Sequence, residues 1–331
     1  MYRPVADLHC DLLLYLAGED HRSAYDLAAR CSIPQMRAGH VVAQVLPVFS
    51  FTGPKSSQAG WTQVELFKKL PYLYPDSFEI IQKPVQLHAR HRKDKIGIML
   101  AFENASSFCD EEENLDNAFQ RLSKVEEQWT KIIYISMTWN TENRFGGGTH
   151  TNAGIKEDGK RLLNFLHQRK IAVDLSHASD KLANDILNTI TKHNLDIPVL
   201  ASHSNFRSIK DHSRNLPDEI SKEVISRGGV IGVNFIRPFV GDEENFVRQL
   251  EFGLNLGAEN HLCFGADFFF EGDVDSPDQD SQGWFFSAYP DSGCYPVLLE
   301  QWRKKLGLTE KALDQISYSN VKKFIQTRIL H

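Results

Sequence analysis

His9 and Asp11 flank a single residue in the otherwise apolar stretch ADLHCDLL. In an extended segment residues i and i+2 share a face, so an imidazole nitrogen and a carboxylate oxygen would point together. That pair can form one corner of a metal site, and equally a plain His–Asp hydrogen bond. Four more residues of the same chemistry stand where apolar runs give way to polar text: Glu103 in MLAFEN, His177 in VDLSHAS, His203 in LASHSN and Asp267 in CFGADF. Three imidazoles and three carboxylates, with no thiolate, suit zinc, and also manganese, cobalt or nickel. Six donors exceed the three protein ligands of a mononuclear catalytic zinc site. Two ions are therefore expected, with Glu103 as the bridge because each carboxylate oxygen can serve one ion. Two ions about 3.5–4 Å apart hold and acidify a shared water, and the resulting hydroxide attacks a polarised carbonyl. A nearby carboxylate then moves the proton to the leaving group.

Each residue alone has a plainer reading. Asp174 and His177 could form a strand–loop hydrogen-bond pair, His203 between Ser202 and Ser204 could cap a helix, Glu103 could pair with an arginine, and Asp267 could cap a helix. Their shared placement is what argues for a site. His21, His40, His88, His91, His167, His193 and His212 lie in helical or surface stretches and are not expected to be ligands. His150, in a glycine-rich loop, is read as solvated surface, with substrate contact as the alternative.

The elements that must position these residues are legible as eight short apolar, β-branched runs: VADLHCD, HVVAQVLPVF, KIGIMLAFEN, KIIYISMTWN, KIAVDLSHAS, IPVLASHSN, GGVIGVNFI and HLCFGADFF. Continuous apolar strands with helices between them indicate a parallel sheet covered on both faces. EDGKRLLNFLHQRK and SDKLANDILNTITKHN carry apolar residues at helical spacing, with Ser179 as an N-cap, and LPDEISKEVISRG is closed by Gly228. Eight β units predict an α/β fold of the (β/α)8 TIM barrel type, with the chemistry at the C-terminal ends of the strands. A doubly wound sheet would call for a glycine-rich phosphate turn. The GGG at 146–148 lacks that pattern and is read as a flexible active-site loop. The 331 residues fit one catalytic barrel domain over 1–331.

Composition narrows the function. The chain is 41% hydrophobic and 24% charged, with a net charge of −6 and scattered basic residues, so no nucleic-acid surface is expected. The five cysteines are widely spaced without a C-x-x-C, which excludes a disulfide framework and a thiolate zinc site and fits a reducing compartment. There is no basic leader followed by a long apolar run, and no apolar stretch approaches the ~18 residues of a spanning helix. A cytoplasmic location, a small-molecule substrate and no membrane partner are the expectations.

The text resembles the membrane (renal) dipeptidase family, a branch of the metal-dependent amidohydrolase superfamily, over nearly its whole length. The matching pieces are DLHCDLL, IPQMRAGHVVAQVL, AFENASS, MTWNTEN, GKRLLNFLHQRKIAVDLSHAS, ASHSNFRSIKDHSRNLPDE, GGVIGVNF and FGADF. The combination DLSHAS, SHSN and RNLPDE at this spacing is specific. The resemblance implies a barrel with two zinc ions: His9 and Asp11 on the first, Glu103 bridging, His177 and His203 on the second. It places Arg214, in RNLPDE, on the substrate's terminal carboxylate, a role that bidentate arginine suits. It places Asp267 on the substrate amine and on proton transfer, and suggests a homodimer.

Three departures from the family's pattern bear on substrate rather than metal. Trp139, in MTWN, stands where many members carry a histidine beside the scissile carbonyl; an indole N–H donates a hydrogen bond but cannot carry a proton. Ile236, in NFI, replaces a tyrosine, and DFFFEG replaces DFDG after Asp267. The expected function is hydrolysis of dipeptides by a metal-bridging hydroxide. The alternatives are an amidohydrolase acting on N-acyl amino acids or lactones, and a non-catalytic metal-binding barrel.

Overall fold

The computed structural model describes residues 2–87, 95–274, 278 and 282–330. Among the described residues nine parallel strands form one sheet: β1 (Val5–Asp7), β2 (Val41–Phe49), β3 (Phe78–Ile80), β4 (Ile96–Glu103), β5 (Ile132–Ser136), β6 (Ala172–Asp174), β7 (Val199–Leu200), β8 (Ile231–Val233) and β9 (Leu262–Phe264). Their order is β7-β6-β5-β4-β2-β1-β9-β8, with β3 beside β4. Ala201 pairs with Ile231 just past β7, so the two ends of the series meet and eight strands close into a barrel. Backbone bonds across the closure, Ala201 N to Val230 O at 2.9 Å and Gly232 N to Ala201 O at 2.8 Å, complete the ring. The first and last barrel strands are neighbours, with Asp7 opposite Phe264. Each of the eight apolar runs contributes one barrel strand, and β3 is an addition to them.

The closure is tight because two glycines allow it. A Cβ on Gly232 or Gly265 would come within 2.0 and 1.8 Å of the Ser202 carbonyl oxygen. Around the ring lie α1 (Leu12–Gly18), α2 (Ile33–Ala38), α3 (Ser56–Leu73), α4 (Leu115–Gln128), α5 (Glu157–Arg169), α6 (Asp180–Lys192), α7 (Asp218–Ser226), α8 (Arg237–Val240), α9 (Glu243–Asn255) and α10 (Tyr295–Leu306). The helix α6 shows why they form. Leu182, Ala183, Ile186, Leu187 and Ile190 make one buried stripe, and the Ser179 hydroxyl accepts from the Leu182 N–H at 3.0 Å. Gly228, with φ of +73°, takes the left-handed position just after α7.

The core has two layers. One lies between the ring and its helices. The other lies inside the ring, where Leu8, Val45, Met99, Ala101, Ile133 and Leu200 meet Val321, Phe324 and Ile325 of the C-terminal segment. The opposite end of the ring carries the polar residues.

The GGG segment departs from the expected flexible loop. Gly146, Gly147 and Gly148 are buried, Gly148 bridges to Ala178, and the Gly147 carbonyl accepts from Ser179 N at 3.0 Å. A Cβ on Gly148 would lie 2.0 Å from the Trp139 carbonyl oxygen, so these glycines serve close packing.

Candidate active site

Strand direction alone brings the singled-out residues to one end of the barrel. His9 and Asp11 follow β1, Glu103 ends β4, His177 follows β6, His203 follows β7 and Asp267 follows β9. Two of these turns are sharp: His177 and Asp267 both have φ of +65°, in the left-handed region. Residues of these types tolerate that region better than most, and such backbone strain clusters at functional sites.

The six side chains converge. His9 Nε2 lies 3.2 Å from Glu103 Oε2, 3.8 Å from Asp11 Oδ1 and 3.6 Å from Asp267 Oδ1. His177 Nε2 lies 2.8 Å and His203 Nε2 3.8 Å from the other oxygen, Glu103 Oε1. Glu103 thus turns one oxygen to each of two donor sets. Three overlapping trios can hold an ion: His9–Asp11–Glu103, Glu103–His177–His203 and His9–His203–Asp267.

The far ring nitrogens explain why the Nε2 atoms face inward. His9 Nδ1 is 2.8 Å from the Tyr134 hydroxyl, which donates to the Leu8 carbonyl at 2.9 Å. His177 Nδ1 is 2.7 Å from Asn140 Oδ1, an acceptor, so Nδ1 carries the hydrogen and Nε2 keeps its lone pair. His203 Nδ1 is 2.7 Å from the Ser202 hydroxyl, which donates to Asp174 at 2.6 Å. Metal-bound imidazoles are characteristically oriented by such outer partners. The plainer reading, an Asp174–His177 pair, is not what forms: Asp174 accepts from Ser136, Ser176 and Ser202, and reaches the site through Ser202.

A test of fit comes from the buried atoms left over. His9 Nε2, His203 Nε2 and Asp11 Oδ1 are buried without hydrogen-bond partners among the described residues. Orphaned polar atoms are costly unless something binds them, and each of these three belongs to at least one of the trios that can hold an ion. The electrostatics agree. Burial pushes the Glu103 carboxyl up to about 8, with Asp174 adding to the rise, and pushes Asp267 up to about 7, aided by Glu103. Burial, then the Glu103 charge, holds Asp11 well above its ordinary value. Burial, followed by neighbouring cations, holds His177 and His203 well below theirs, so both are neutral and available as ligands. Buried carboxylates this close together favour a cation among them.

Arg214 is buried beside this centre. Its Nη2 is 3.0 Å from His177 Nε2 and its guanidinium lies 5.3 Å from the Phe239 ring centre. Its Nε has no hydrogen-bond partner among the described residues. Above the centre opens a cleft of about 450 Å³ lined by Asp11, Glu103, His177 and Asp267 and, among apolar residues, by Trp139, Ile236, Phe239 and Trp284.

Among the other histidines, His88 and His91 lie outside the described residues. His150 and His212 stand at the rim, their Nε2 atoms 3.4 and 3.7 Å from Asp278, which lines the cleft. Tyr134, Asn140, Ser202 and Asn234, whose amide donates to Asp267 Oδ2 at 2.9 Å, were not singled out from the sequence. Asn140 and Ser202 do sit next to Trp139 and His203, and adjacency to a strand end was the available signal.

The chain matches the family model described as membrane dipeptidase (peptidase family M19) over residues 2–328. It is 27% identical over 226 residues to an uncharacterized protein of Klebsiella pneumoniae encoded 5′ of pqqA, covering 63% of this chain and 78% of that one. An uncharacterized dipeptidase of Schizosaccharomyces pombe is 23% identical over 296 residues, with 80% and 69% covered. Among solved structures, a Rhodobacter sphaeroides metallopeptidase liganded with a phosphinate mimic of L-Ala-D-Ala superposes with a TM-score of 0.82 at 18% identity, covering 99% of this chain and 100% of that one. The M19 dipeptidase AC superposes with a TM-score of 0.84 at 19% identity over 100% of both chains. With residues 2–328 inside the family model, the chain belongs to the membrane dipeptidase family.

Proposed function

We propose that the chain hydrolyses dipeptides as a dinuclear metal-dependent enzyme. His9 and Asp11 would hold one ion, His177 and His203 the other, and Glu103 both. Zinc suits this nitrogen and oxygen set, as do manganese, cobalt and nickel. The observation that carries the reading is the division of the two Glu103 oxygens between two imidazole sets.

Ions held by these residues would supply Lewis acidity and an activated water at neutral pH. The remaining work falls to side chains. Arg214 anchors the terminal carboxylate, since a buried guanidinium with an unpartnered Nε favours a planar anion. Asp267, whose side chain is held by the Asn234 amide at 2.9 Å, is placed to take and give a proton. It holds the substrate amine and passes a proton from the attacking water to the leaving nitrogen as the C–N bond breaks. Trp139 can donate one hydrogen bond to the scissile carbonyl but cannot relay a proton.

We assign residues 1–331 to one catalytic barrel and a homodimer as its assembly. The five cysteines, all buried and free, favour a reducing compartment such as the cytoplasm. No helix of the described residues is long and apolar enough to cross a membrane.

The test is metal content by mass spectrometry on protein purified without added metal, beside Glu103→Ala. About two ions per chain, sharply reduced in the variant, is the expected outcome. No metal in either protein, even after zinc is supplied, would remove the mechanism and leave a non-catalytic barrel. A second reading, cleavage of N-acyl amino acids or lactones, is favoured by Ile236 and Trp139 in the cleft wall. A panel of dipeptides, N-acyl amino acids and lactones separates the two readings by which members turn over.

A further inference from the structure

We infer that Phe51, with Phe49 and Trp139, selects dipeptides whose C-terminal residue has a bulky apolar side chain. The inference rests on the dipeptidase reading above. Phe49 is the last residue of β2 and pairs in register with Glu103. Trp139 lies just past β5, and both residues line the cleft. Phe51 completes a mutually edge-on trio. Its ring centre is 5.0 Å from that of Phe49 at 78° and 5.2 Å from that of Trp139 at 86°; Phe49 and Trp139 are 5.5 Å apart at 61°.

This wall is graded in exposure. Phe49 is 3% exposed, Trp139 is half-buried and Phe51 is 44% exposed, so aromatic surface climbs from the bridging carboxylate to the rim. Edge-on packing fixes the rings yet leaves apolar surface in water, which a substrate side chain would cover.

Which side chain follows from the two charged anchors. Arg214 sits 3.0 Å from His177 Nε2, and the Trp139 ring centre is 6.0 Å from that of the same imidazole. The carboxylate anchor and the aromatic wall therefore share the His177 corner. Asp267, which would hold the amine, lies 3.6 Å from His9 Nε2. There the lining rings Phe269 and Trp284 are only 5% and 2% exposed. A residue anchored by its carboxylate at Arg214 presents its side chain to Trp139 and Phe51. The amine-side residue has no comparable open wall.

The experiment compares metal-loaded wild type with Phe51→Ala and Phe51→Leu on Ala-Phe, Ala-Leu, Ala-Gly and Phe-Ala, each with the C-terminal residue in both configurations. The ring partners of Phe51 are Phe49 and Trp139, neither of them a proposed metal ligand. Wild type is expected to favour Ala-Phe over Ala-Gly by about tenfold or more in kcat/KM, the scale of discrimination by apolar pockets. Phe51→Ala should lose about tenfold on Ala-Phe, mainly through KM, stay within about twofold on Ala-Gly, and be partly rescued by leucine. A flat wild-type preference, equal losses on both substrates, or losses that follow the N-terminal residue would overturn the inference. If wild type turns over no dipeptide, the dipeptidase reading falls, and calorimetry with phosphinate analogues of Ala-Phe and Ala-Gly decides the wall separately. Tighter binding of the Ala-Phe analogue, lost in Phe51→Ala, sustains it; equal or absent binding ends it.

Discussion

At the scale of single residues, the centre is governed by atoms one bond behind the donors. Tyr134 rises from the barrel interior to hold His9 Nδ1. Tyr134→Phe keeps the ring and removes that hold, so metal affinity is expected to fall about 10–100-fold, readable by competition with a chelator. Arg214→Met, which keeps the apolar stem, should raise KM for dipeptides by about two orders of magnitude, since removing one partner of a buried charged pair costs about 2–5 kcal/mol. Unchanged KM would move the carboxylate anchor elsewhere. A third expectation concerns pH. In the metal-free protein Glu103 titrates at about 8 against an ordinary 4.5. A carboxyl raised on folding contributes stability that is full below 4.5 and is lost as pH rises through about 8. The midpoint of thermal unfolding of metal-free protein should therefore fall across that window, and Glu103→Gln should flatten the decline. The donors themselves were legible in the sequence because six groups of metal chemistry recur where apolar runs stop. Tyr134 and Asn234 were not, since a tyrosine or asparagine inside an apolar run carries no mark of the atom it touches.

At the scale of elements, the eight barrel strands were readable because a strand buried on both faces is a continuous apolar run. The strand β3 escaped because its three residues, Phe78–Ile80, are too few to set a period and carry a glutamate at their centre. The glycines 146–148 were misread because the same residue serves looseness and close approach, and only the neighbours at Trp139 and Ala153 tell which. Ring closure offers a sharper case. Gly265→Ala would drive a Cβ into the Ser202 carbonyl, next to His203. The expected cost is about 3 kcal/mol in denaturant-measured stability, with weakened metal retention because strand and ligand shift together. An alanine tolerated there without loss would mean the closure is looser than its backbone bonds suggest.

At the scale of the whole molecule, one cation pair would hold residues from around the entire ring. Binding to the folded state alone stabilises by RT ln(1 + [L]/Kd), about 4 kcal/mol at a thousandfold excess over Kd. Chelation is thus expected to lower the unfolding midpoint by several degrees in scanning calorimetry, and resupply of zinc to restore it. The pairing of β1 with β9 carries a further consequence. It sets the first donors beside Asp267, more than 250 residues later in the chain. During synthesis at about 5–20 residues per second, His9 and Asp11 emerge roughly ten seconds or more before their neighbours at the far end. The earliest donors therefore wait until Asp267 has followed them out of the ribosome, and a complete cage would be assembled only from that point on.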